Sequence, residues 1–291
     1  MGATTPTRQF SSADHETWRR FHEGFFASLP DFEASLHPFY KSGLSVLRDL
    51  GGCVPSLGLI QELLAPQGWT ACYVDGYIEP WRVAQLIAAR VMPISSAVRP
   101  ADELYFAREP DLIHDLFGHL PSLLNPEYRR LLTVWSRVAS MAAITPLDRA
   151  LFHVNKSKVR MHEGTEAEPL EHLDAALAAF DVAFAASPTP FHLVDKLYFW
   201  IFEFGLLKQD DGFAVMGAGL ISSLSELRNF THRRVIEIET APITIDSVLK
   251  PYAIANEQTS YLAARSVNDF YRIINQAMSR MGDLKGRGLC A

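Results

Sequence analysis

Apolar residues recur every three or four positions along most of the chain, which is the spacing of amphipathic helices. This pattern predicts helices at 16–26 (capped by Ser12), 57–64, 80–91, 111–118, 131–143, 170–185 and 193–207. Alternation of apolar and polar residues predicts short strands at 70–74, 235–238 and 243–248. The chain is therefore predicted to be mainly α-helical with small β pieces.

The stretch 197–207 is apolar on every side of its predicted helix except at Glu203. Burying an ionised carboxylate without a partner costs several kcal/mol. Glu203 is therefore expected either to form an ion pair, for which Lys196 and Lys208 flank the stretch, or to bind a metal. We favour the metal because two histidines that can serve as ligands precede this stretch.

Those histidines, His114 and His119, lie five positions apart, so on an ideal helix they point about 140° away from each other. Both can reach one ion only if the helix loosens, which Gly118 allows, or ends, which Pro121 favours. Zinc proteases instead space two histidines four apart around a glutamate. With Glu203, the pair matches the facial triad of ferrous enzymes, which leaves positions open for dioxygen. For the pair alone, two structural histidines near a helix end are the alternative.

Composition and charge narrow the class of protein further. The 291 residues are 48% hydrophobic and 21% charged, as in ordinary globular enzymes, and the net charge of −6 argues against nucleic-acid binding. Three widely spaced cysteines, Cys53, Cys72 and Cys290, indicate a reducing compartment, and residues 1–10 lack a signal-peptide core. Since no linker, repeat or membrane-length apolar run divides the sequence, we expect one cytoplasmic domain spanning 1–291.

The segments around His114, His119 and Glu203 resemble those of the pterin-dependent aromatic amino acid hydroxylases, which act on phenylalanine, tyrosine or tryptophan. Further similar stretches are 68–69, 74–78, 205–210, 217–223, 225–227 and 251–270. Together they span about residues 11–278. The resemblance implies the helical, basket-shaped catalytic domain of that family, in a divergent single-domain member of bacterial type that is a monomer or small homo-oligomer.

The resemblance also implies which residues hold the iron and the substrate. His114, His119 and Glu203 would bind Fe(2+). Arg99 would grip the substrate carboxylate through a bidentate pair, so its replacement should weaken substrate binding and leave the iron content unchanged. The other implied substrate-binding residues are Pro110 and Phe199 beside the ring, Gly219, and Ser222, which also orients His114.

For the tetrahydropterin cofactor, the resemblance implies a second group of residues. The backbone at Gly76 and Ile78 would meet the edge of the pterin ring. Asp115 would face the ring through water, and Tyr198 would lie near both pterin and iron. Val83 stands where the family normally has a phenylalanine that stacks on the pterin, and this change removes about 1 kcal/mol of stacking.

Three further departures from the family affect the cofactor pocket and the choice of substrate. Pro93 stands where animal members have a histidine, and Asp195 where a small alanine is usual. Phe199 occupies a position that holds a tryptophan in phenylalanine and tyrosine hydroxylases and a phenylalanine in tryptophan hydroxylases. The smaller ring is expected to leave space for an indole.

The 83 residues between His119 and Glu203 exceed the usual span of the family. The excess is assigned to about 145–189, between Thr145 and Thr189. This segment contains a polar stretch that comprises Lys156, Lys158, Arg160 and 163–168. We expect a solvated surface insertion there rather than a lid over the substrate.

These features together imply a non-haem iron(II), pterin-dependent monooxygenase that hydroxylates the ring of an aromatic amino acid with dioxygen. A tryptophan-like substrate is placed slightly ahead of phenylalanine. Two alternatives stay open: a pterin-independent iron oxygenase acting on an aromatic specialised-metabolite precursor, and a non-catalytic binding protein. The expected partners are the small aromatic substrate and dioxygen, without nucleic acid or membrane.

Overall fold

The computed structural model describes residues 8–162, 170–230, 234–238, 248–253 and 256–286. The helices are α1 Ser12–Phe32, α2 Pro38–Lys41, α3 Leu44–Asp49, α4 Leu57–Leu64, α5 Pro80–Ala88, α6 Leu120–Leu123, α7 Pro126–Met141, α8 Pro146–His162, α9 Leu170–Ala186, α10 Pro190–Tyr198, α11 Ala218–Ile221, α12 Leu224–Asn229 and α13 Val267–Gly286. Two π-helical segments, His114–His119 and Phe199–Glu203, lead into α6 and continue α10, respectively. The prediction of a mainly helical fold with small β pieces is confirmed.

The strands form two small sheets. They are β1 Thr70–Val74, β2 Val91–Ser95, β3 Leu206–Lys208, β4 Phe213–Val215, β5 Arg234–Ile238 and β6 Ser260–Ala264. β1 and β2 pair in parallel, with Thr70 opposite Val91. The larger sheet has the order β4-β3-β6-β5, in which only the β3–β4 pair is antiparallel. The strands predicted at 70–74 and 235–238 are confirmed as β1 and β5, whereas 243–247 lie outside the described residues.

Most predicted helices are present with shifted ends. Residues 57–64 form α4, while 131–143 and 170–185 fall on α7 and α9. α1 is capped by Ser11 and not by Ser12, which was the wrong choice between two adjacent serines. Ser11 Oγ accepts the N–H of Asp14 at 3.2 Å, and the Asp14 carboxylate accepts the N–H of Ser11 at 2.8 Å. This reciprocal pair satisfies two donors at the start of the helix.

Two predicted helices end early because the chain turns into a sheet. The helix predicted at 80–91 ends at Ala88, since Arg90 adopts a left-handed conformation with a φ of 60° and Val91 starts β2. The helix predicted at 193–207 ends at Glu203, and Leu206 pairs with neighbours in β4 and β6. Tertiary pairing overrides the local apolar pattern at both places.

Helix α1 supports the back of the first π-helical segment. Trp18, Phe21 and Phe25 are fully buried, and their ring centroids lie 4.7–5.2 Å from that of Phe117. Burying each such side chain stabilises the fold by roughly 1.5–3 kcal/mol. The segment that carries the two histidines is therefore fixed by the largest side chains of the core.

The segment 145–189 differs from its prediction as a solvated surface insertion. It contains α8 and α9, which Lys158 and Asp174 join through an ion pair of 2.7 Å. Phe152 of α8 is buried and stacks on Tyr77 with ring centroids 5.5 Å apart. The expectation of a solvated segment is therefore wrong for α8, which packs on the loop that was predicted to meet the pterin. The Arg160 side chain and residues 163–168 lie outside the described part of the chain.

Within the described ranges, no single helix is long and apolar enough to cross a membrane. Residues of α9 and of the helix after it reach that length only as a pair, and a bend of 113° separates them. Cys53 and Cys72 are free thiols, and Cys290 lies outside the described residues.

Candidate active site

The first π-helical segment brings His114 and His119 to the same side of the chain. The N–H of Leu120 donates to the carbonyl of Asp115, which lies five residues earlier, whereas in a regular α-helix the acceptor lies four residues earlier. This wider turn rotates each residue less about the axis, so side chains five apart approach each other. The ring centroids of the two histidines lie 5.1 Å apart. The helix is therefore widened along the whole segment from His114 to His119, and not only at Gly118.

Gly118 and Pro121 act differently from the sequence-based expectation. A Cβ at Gly118 would lie 2.7 Å from the carbonyl oxygen of Ala218, so glycine is needed for this close approach. Pro121 does not end the helix but lies inside α6. Because proline has no N–H to donate to the Phe117 carbonyl four residues earlier, that carbonyl accepts the Tyr40 hydroxyl at 2.7 Å.

Glu203 reaches the two histidines from the second π-helical segment, in which the N–H of Phe204 donates to the carbonyl of Phe199 at 3.0 Å. Its two oxygens face different imidazoles. Oε1 lies 3.1 Å from His119 Nε2, and Oε2 lies 3.4 Å from His114 Nε2. Neither Lys196 nor Lys208 is its partner within the part of the chain that the structure describes.

The outer nitrogens of both imidazoles also have neighbours that fix the rings. His114 Nδ1 lies 2.9 Å from Ser222 Oγ, and the Tyr128 hydroxyl lies 3.5 Å from His119 Nδ1. Asp111 Oδ1 accepts the backbone N–H of His114 at 2.8 Å. These contacts aim the Nε2 atoms at Glu203, which is how ligand imidazoles are oriented in metal sites.

The electrostatics of the site favour an ionised Glu203. Burial raises the pKa of Glu203, but the two imidazoles and a hydrogen bond from Tyr198 outweigh it and bring the pKa to about 2. Burial lowers the pKa of His114 to about 4, against the opposing effect of Glu203. Burial also lowers the pKa of His119, but Glu203 outweighs it and raises that pKa above its usual value. A metal ion here would replace the proton of His119 as the balancing positive charge.

These three side chains fit a metal ion. Adjacent ligands about 2.1 Å from an octahedral ion lie about 3.0 Å apart, close to the two separations observed here. Asp115 also has an oxygen within 4.8 Å of both imidazoles. However, Asp115 Oδ2 accepts the N–H of Ser95 at 2.6 Å, and burial raises the pKa of this carboxyl to about 7, although His119 opposes the shift. The geometry therefore favours Glu203 as the third ligand.

The triad opens on a cavity of about 230 Å³. All thirteen residues that the sequence predicted for iron, substrate or cofactor line it. They are Gly76, Ile78, Val83, Arg99, Pro110, His114, Asp115, His119, Tyr198, Phe199, Glu203, Gly219 and Ser222. The cavity therefore collects all the predicted site residues, although they are spread over more than half of the sequence.

Arg99 is buried in the cavity wall and already has a bidentate partner. Its Nε and Nη2 donate to the two oxygens of Asp111 at 3.1 and 2.7 Å. Its Nη1 donates to the carbonyls of Leu104 and Ser222 at 3.3 and 3.2 Å. The bidentate pair predicted with a substrate carboxylate is thus made with Asp111. These bonds use four of the five N–H groups of the guanidinium, so at most one is left for a ligand.

Three residues that shape the site were missed in the sequence. Tyr128 contacts His119, and Tyr252 stacks on Phe199 with centroids 3.6 Å apart and an interplanar angle of 18°. No local pattern marks either tyrosine. Asp111 had a usable signal, because an aspartate three residues before His114 has the spacing of a helix cap. Tyr252 thus stacks on Phe199, the ring whose smaller size was expected to leave space for an indole.

Two imidazoles and one carboxylate on a helical scaffold form the donor set of mononuclear non-haem iron proteins. A family model for biopterin-dependent aromatic amino acid hydroxylases matches residues 1–151 and 180–283. The chain belongs to this family. The match leaves out 152–179, which includes most of α8 and more than half of α9.

Individual relatives agree with the family. A phenylalanine-4-hydroxylase of Ralstonia nicotianae is 28% identical over 222 residues, which is 76% of this chain but 56% of the relative. One from Pseudomonas aeruginosa is 22% identical over 281 residues, covering 94% of this chain and 88% of the relative. The chain thus spans little more than half of some relatives it matches.

Solved structures support the fold. Phenylalanine hydroxylase of Chromobacterium violaceum, solved with iron(III) and 7,8-dihydrobiopterin, superposes with a TM-score of 0.68 at 21% identity, covering 96% of this chain and 84% of that one. The apo enzyme of Colwellia psychrerythraea gives a TM-score of 0.67 at 20% identity, covering 97% and 92%. At these identities the likeness concerns the fold alone.

Proposed function

We propose that this protein is an iron(II)- and pterin-dependent monooxygenase that hydroxylates the ring of phenylalanine. The observation that carries the proposal is the approach of both oxygens of Glu203 to the Nε2 atoms of His114 and His119 at the wall of the cavity. Membership in the hydroxylase family supports the same reaction class. The cofactors are Fe(2+) and tetrahydropterin, since a related enzyme is solved with iron and dihydrobiopterin.

In this mechanism, His114, His119 and Glu203 would hold the iron at the wall of the cavity. Bound iron and reduced pterin supply the activation of dioxygen, which no protein side chain can perform. Ser222 keeps the His114 ring turned toward the metal, and Tyr198 donates its hydrogen bond to Glu203. The buried aromatic residues around the triad exclude water from the reacting atoms.

The cofactor residues support a pterin between the loop at 76–78 and the ligand segments. Gly76 lines the cavity and has a φ of 57°, a conformation that glycine adopts without strain. Tyr198 and Val83 line the same cavity and supply one aromatic and one aliphatic wall. Asp115 lies beside the two imidazoles, and its carboxylate accepts a hydrogen bond from the backbone N–H of Ser95.

Phenylalanine is proposed as the substrate in place of the tryptophan-like molecule that was placed first from the sequence. Tyr252 stacks on Phe199 and adds a second ring beside the place where an indole was expected. Phe204 also packs against the Phe199 ring, with centroids 4.8 Å apart. The relatives named phenylalanine-4-hydroxylase further support the smaller substrate and hydroxylation at the 4-position. Pro110 would pack on the substrate ring, and Arg99 would donate one N–H to its carboxylate.

The test is product analysis of the iron-loaded protein with phenylalanine or tryptophan, with and without tetrahydrobiopterin. We expect tyrosine from phenylalanine only when pterin is present, and much slower turnover of tryptophan. Glu203→Gln should abolish product, whereas Glu127→Gln, on the exposed face of α7, should not. Equal tyrosine formation without pterin would identify the pterin-independent oxygenase instead. No product from any combination would contradict the proposal altogether.

A further inference from the structure

Asp195 places a carboxylate in the cavity at a position outside the metal site. It lies on α10, three residues before Tyr198 and four before Phe199, and residues at these spacings share one face of a helix. All three line the cavity. The carboxylate of Asp195 is therefore presented to whatever ligand lies against Tyr198 and Phe199.

This carboxylate has no hydrogen-bond donor among the residues that the structure describes. The adjacent Lys196 is directed elsewhere, because its Nζ donates to the Lys250 carbonyl at 3.1 Å and lies 4.2 Å from the centroid of the Tyr252 ring. Burial raises the pKa of Asp195 to about 7, with Lys196 opposing and Asp148 adding to the shift. Asp195 is half-buried and lines the cavity, so its carboxylate is accessible from the cavity. A ligand with a hydrogen-bond donor would supply a partner.

The position of Asp195 assigns it to the cofactor end of the cavity. It precedes Glu203 by eight residues on one continuous helix, which corresponds to roughly 10–12 Å along the axis. The charge of Asp195 acts on Tyr77 and Tyr252. Tyr77 lies within the loop at 76–78 and is held there by the ring of Phe152 and a hydrogen bond with Asn155.

We propose that Asp195 accepts a hydrogen bond from a hydroxyl group on the side chain of the pterin and thereby selects pterins with hydroxylated side chains. This inference rests on the proposed function, since it requires a pterin in the cavity. If the pterin ring lay beside the triad, a side chain on its far edge would extend toward the end of the cavity where Asp195 lies. A carboxylate is the strongest acceptor a side chain offers to such a hydroxyl.

Calorimetric titration of the iron-loaded protein tests this assignment without relying on turnover. The two probes are 7,8-dihydrobiopterin, which carries two side-chain hydroxyls, and 6-methyl-7,8-dihydropterin, which has the same ring and none. The quantity compared is the ratio of the two Kd values in the wild type, Asp195→Ala, Asp195→Asn and Asp210→Ala. Asp210 is an exposed aspartate in the β3–β4 turn and serves as the matched control.

We expect Asp195→Ala to reduce the preference for dihydrobiopterin about tenfold by weakening that probe alone, as loss of one hydrogen bond to a charged group predicts. Asp195→Asn keeps an acceptor oxygen and should retain part of the preference, and Asp210→Ala should equal the wild type. An unchanged ratio in Asp195→Ala, or equal weakening of both probes, overturns the role of Asp195 while the pterin site stands. Failure of the wild type to bind either probe overturns the pterin-dependent function itself.

Discussion

His119 Nε2 lies 3.1 Å from Glu203 Oε1, although 84 positions separate the two residues in the sequence. Each residue ends a π-helical segment, in which a backbone N–H reaches five residues back. Such widened turns are rare and occur frequently at functional sites. Two of them facing each other allow His114, His119 and Glu203 to converge where regular helices would point these side chains apart.

The first prediction concerns removal of one ligand. His119→Ala takes away one of two imidazoles and should abolish iron retention and tyrosine formation together, because two ligands cannot hold the ion against exchange. Iron content after desalting and product yield measure both effects. His172→Ala, at an exposed position on α9, is the control and should leave both unchanged. A His119→Ala protein that keeps its iron and its activity would rule out the proposed ligand set.

The second prediction concerns the residue that orients His114. Ser222→Ala removes the contact of 2.9 Å to His114 Nδ1 and should weaken iron binding by about 10–100-fold, the usual effect of losing such a partner. Competition with a chelator measures the affinity. Ser225→Ala removes only a contact of 3.3 Å to the Tyr105 carbonyl and should have little effect. Equal iron affinity in the Ser222→Ala and wild-type proteins would show that Ser222 does not orient the ligand.

The third prediction revises the sequence-based expectation for Arg99. Arg99→Ala leaves the buried Asp111 without its cation, which should lower the free energy of unfolding by about 3–5 kcal/mol. Because Asp111 also holds the N–H of His114, iron content should fall as well. Denaturant unfolding and metal analysis measure these effects. Arg130→Ala breaks a solvent-exposed pair and should change stability by less than about 1 kcal/mol. Normal stability and iron content in Arg99→Ala would contradict this coupling.

The fourth prediction concerns the close approach at Gly118. Gly118→Ala places a Cβ 2.7 Å from the Ala218 carbonyl oxygen and should destabilise the protein by about 1–3 kcal/mol. Gly282→Ala is the matched control, since nothing lies within 4 Å of its Cβ and it is exposed in α13. It should stabilise the protein by about 0.5–1 kcal/mol. The denaturation midpoints of the two variants are compared with that of the wild type. An equal change in stability in both variants would show that the close approach at Gly118 does not require a glycine.

The sequence predicted the helical class because apolar spacing is set locally, and α4 and β1 were obtained with their observed ends. The ends at Ala88 and Glu203 were not, because they depend on strand pairing with distant segments. The packing of Phe152 on Tyr77 was likewise missed, since contacts between α8 and the loop at 76–78 leave no trace in local periodicity.

The candidate site residues were all picked out from the sequence, and the structure brings them to one cavity, but their roles stay predictions. Two histidines and a carboxylate in apolar surroundings are recognisable as candidate metal ligands from their chemistry. The family resemblance supplied the residues that we propose for the cofactor and the substrate. The sequence predicted only that the helix must loosen or end between His114 and His119, and it did not predict a π-helix. The pairing of Arg99 with Asp111 and the stack of Tyr252 on Phe199 required three-dimensional contacts that no spacing encodes.

Oxygen-isotope labelling tests the proposed hydroxylation most directly. Iron-loaded protein is supplied with phenylalanine, tetrahydrobiopterin and oxygen-18 gas in ordinary water, and the tyrosine formed is measured by mass spectrometry. We expect each tyrosine to carry one oxygen-18 atom, with no product from His119→Ala or when pterin is omitted. Tyrosine that carries oxygen from water, or labelled product that forms equally well without pterin, would contradict a pterin-dependent monooxygenase.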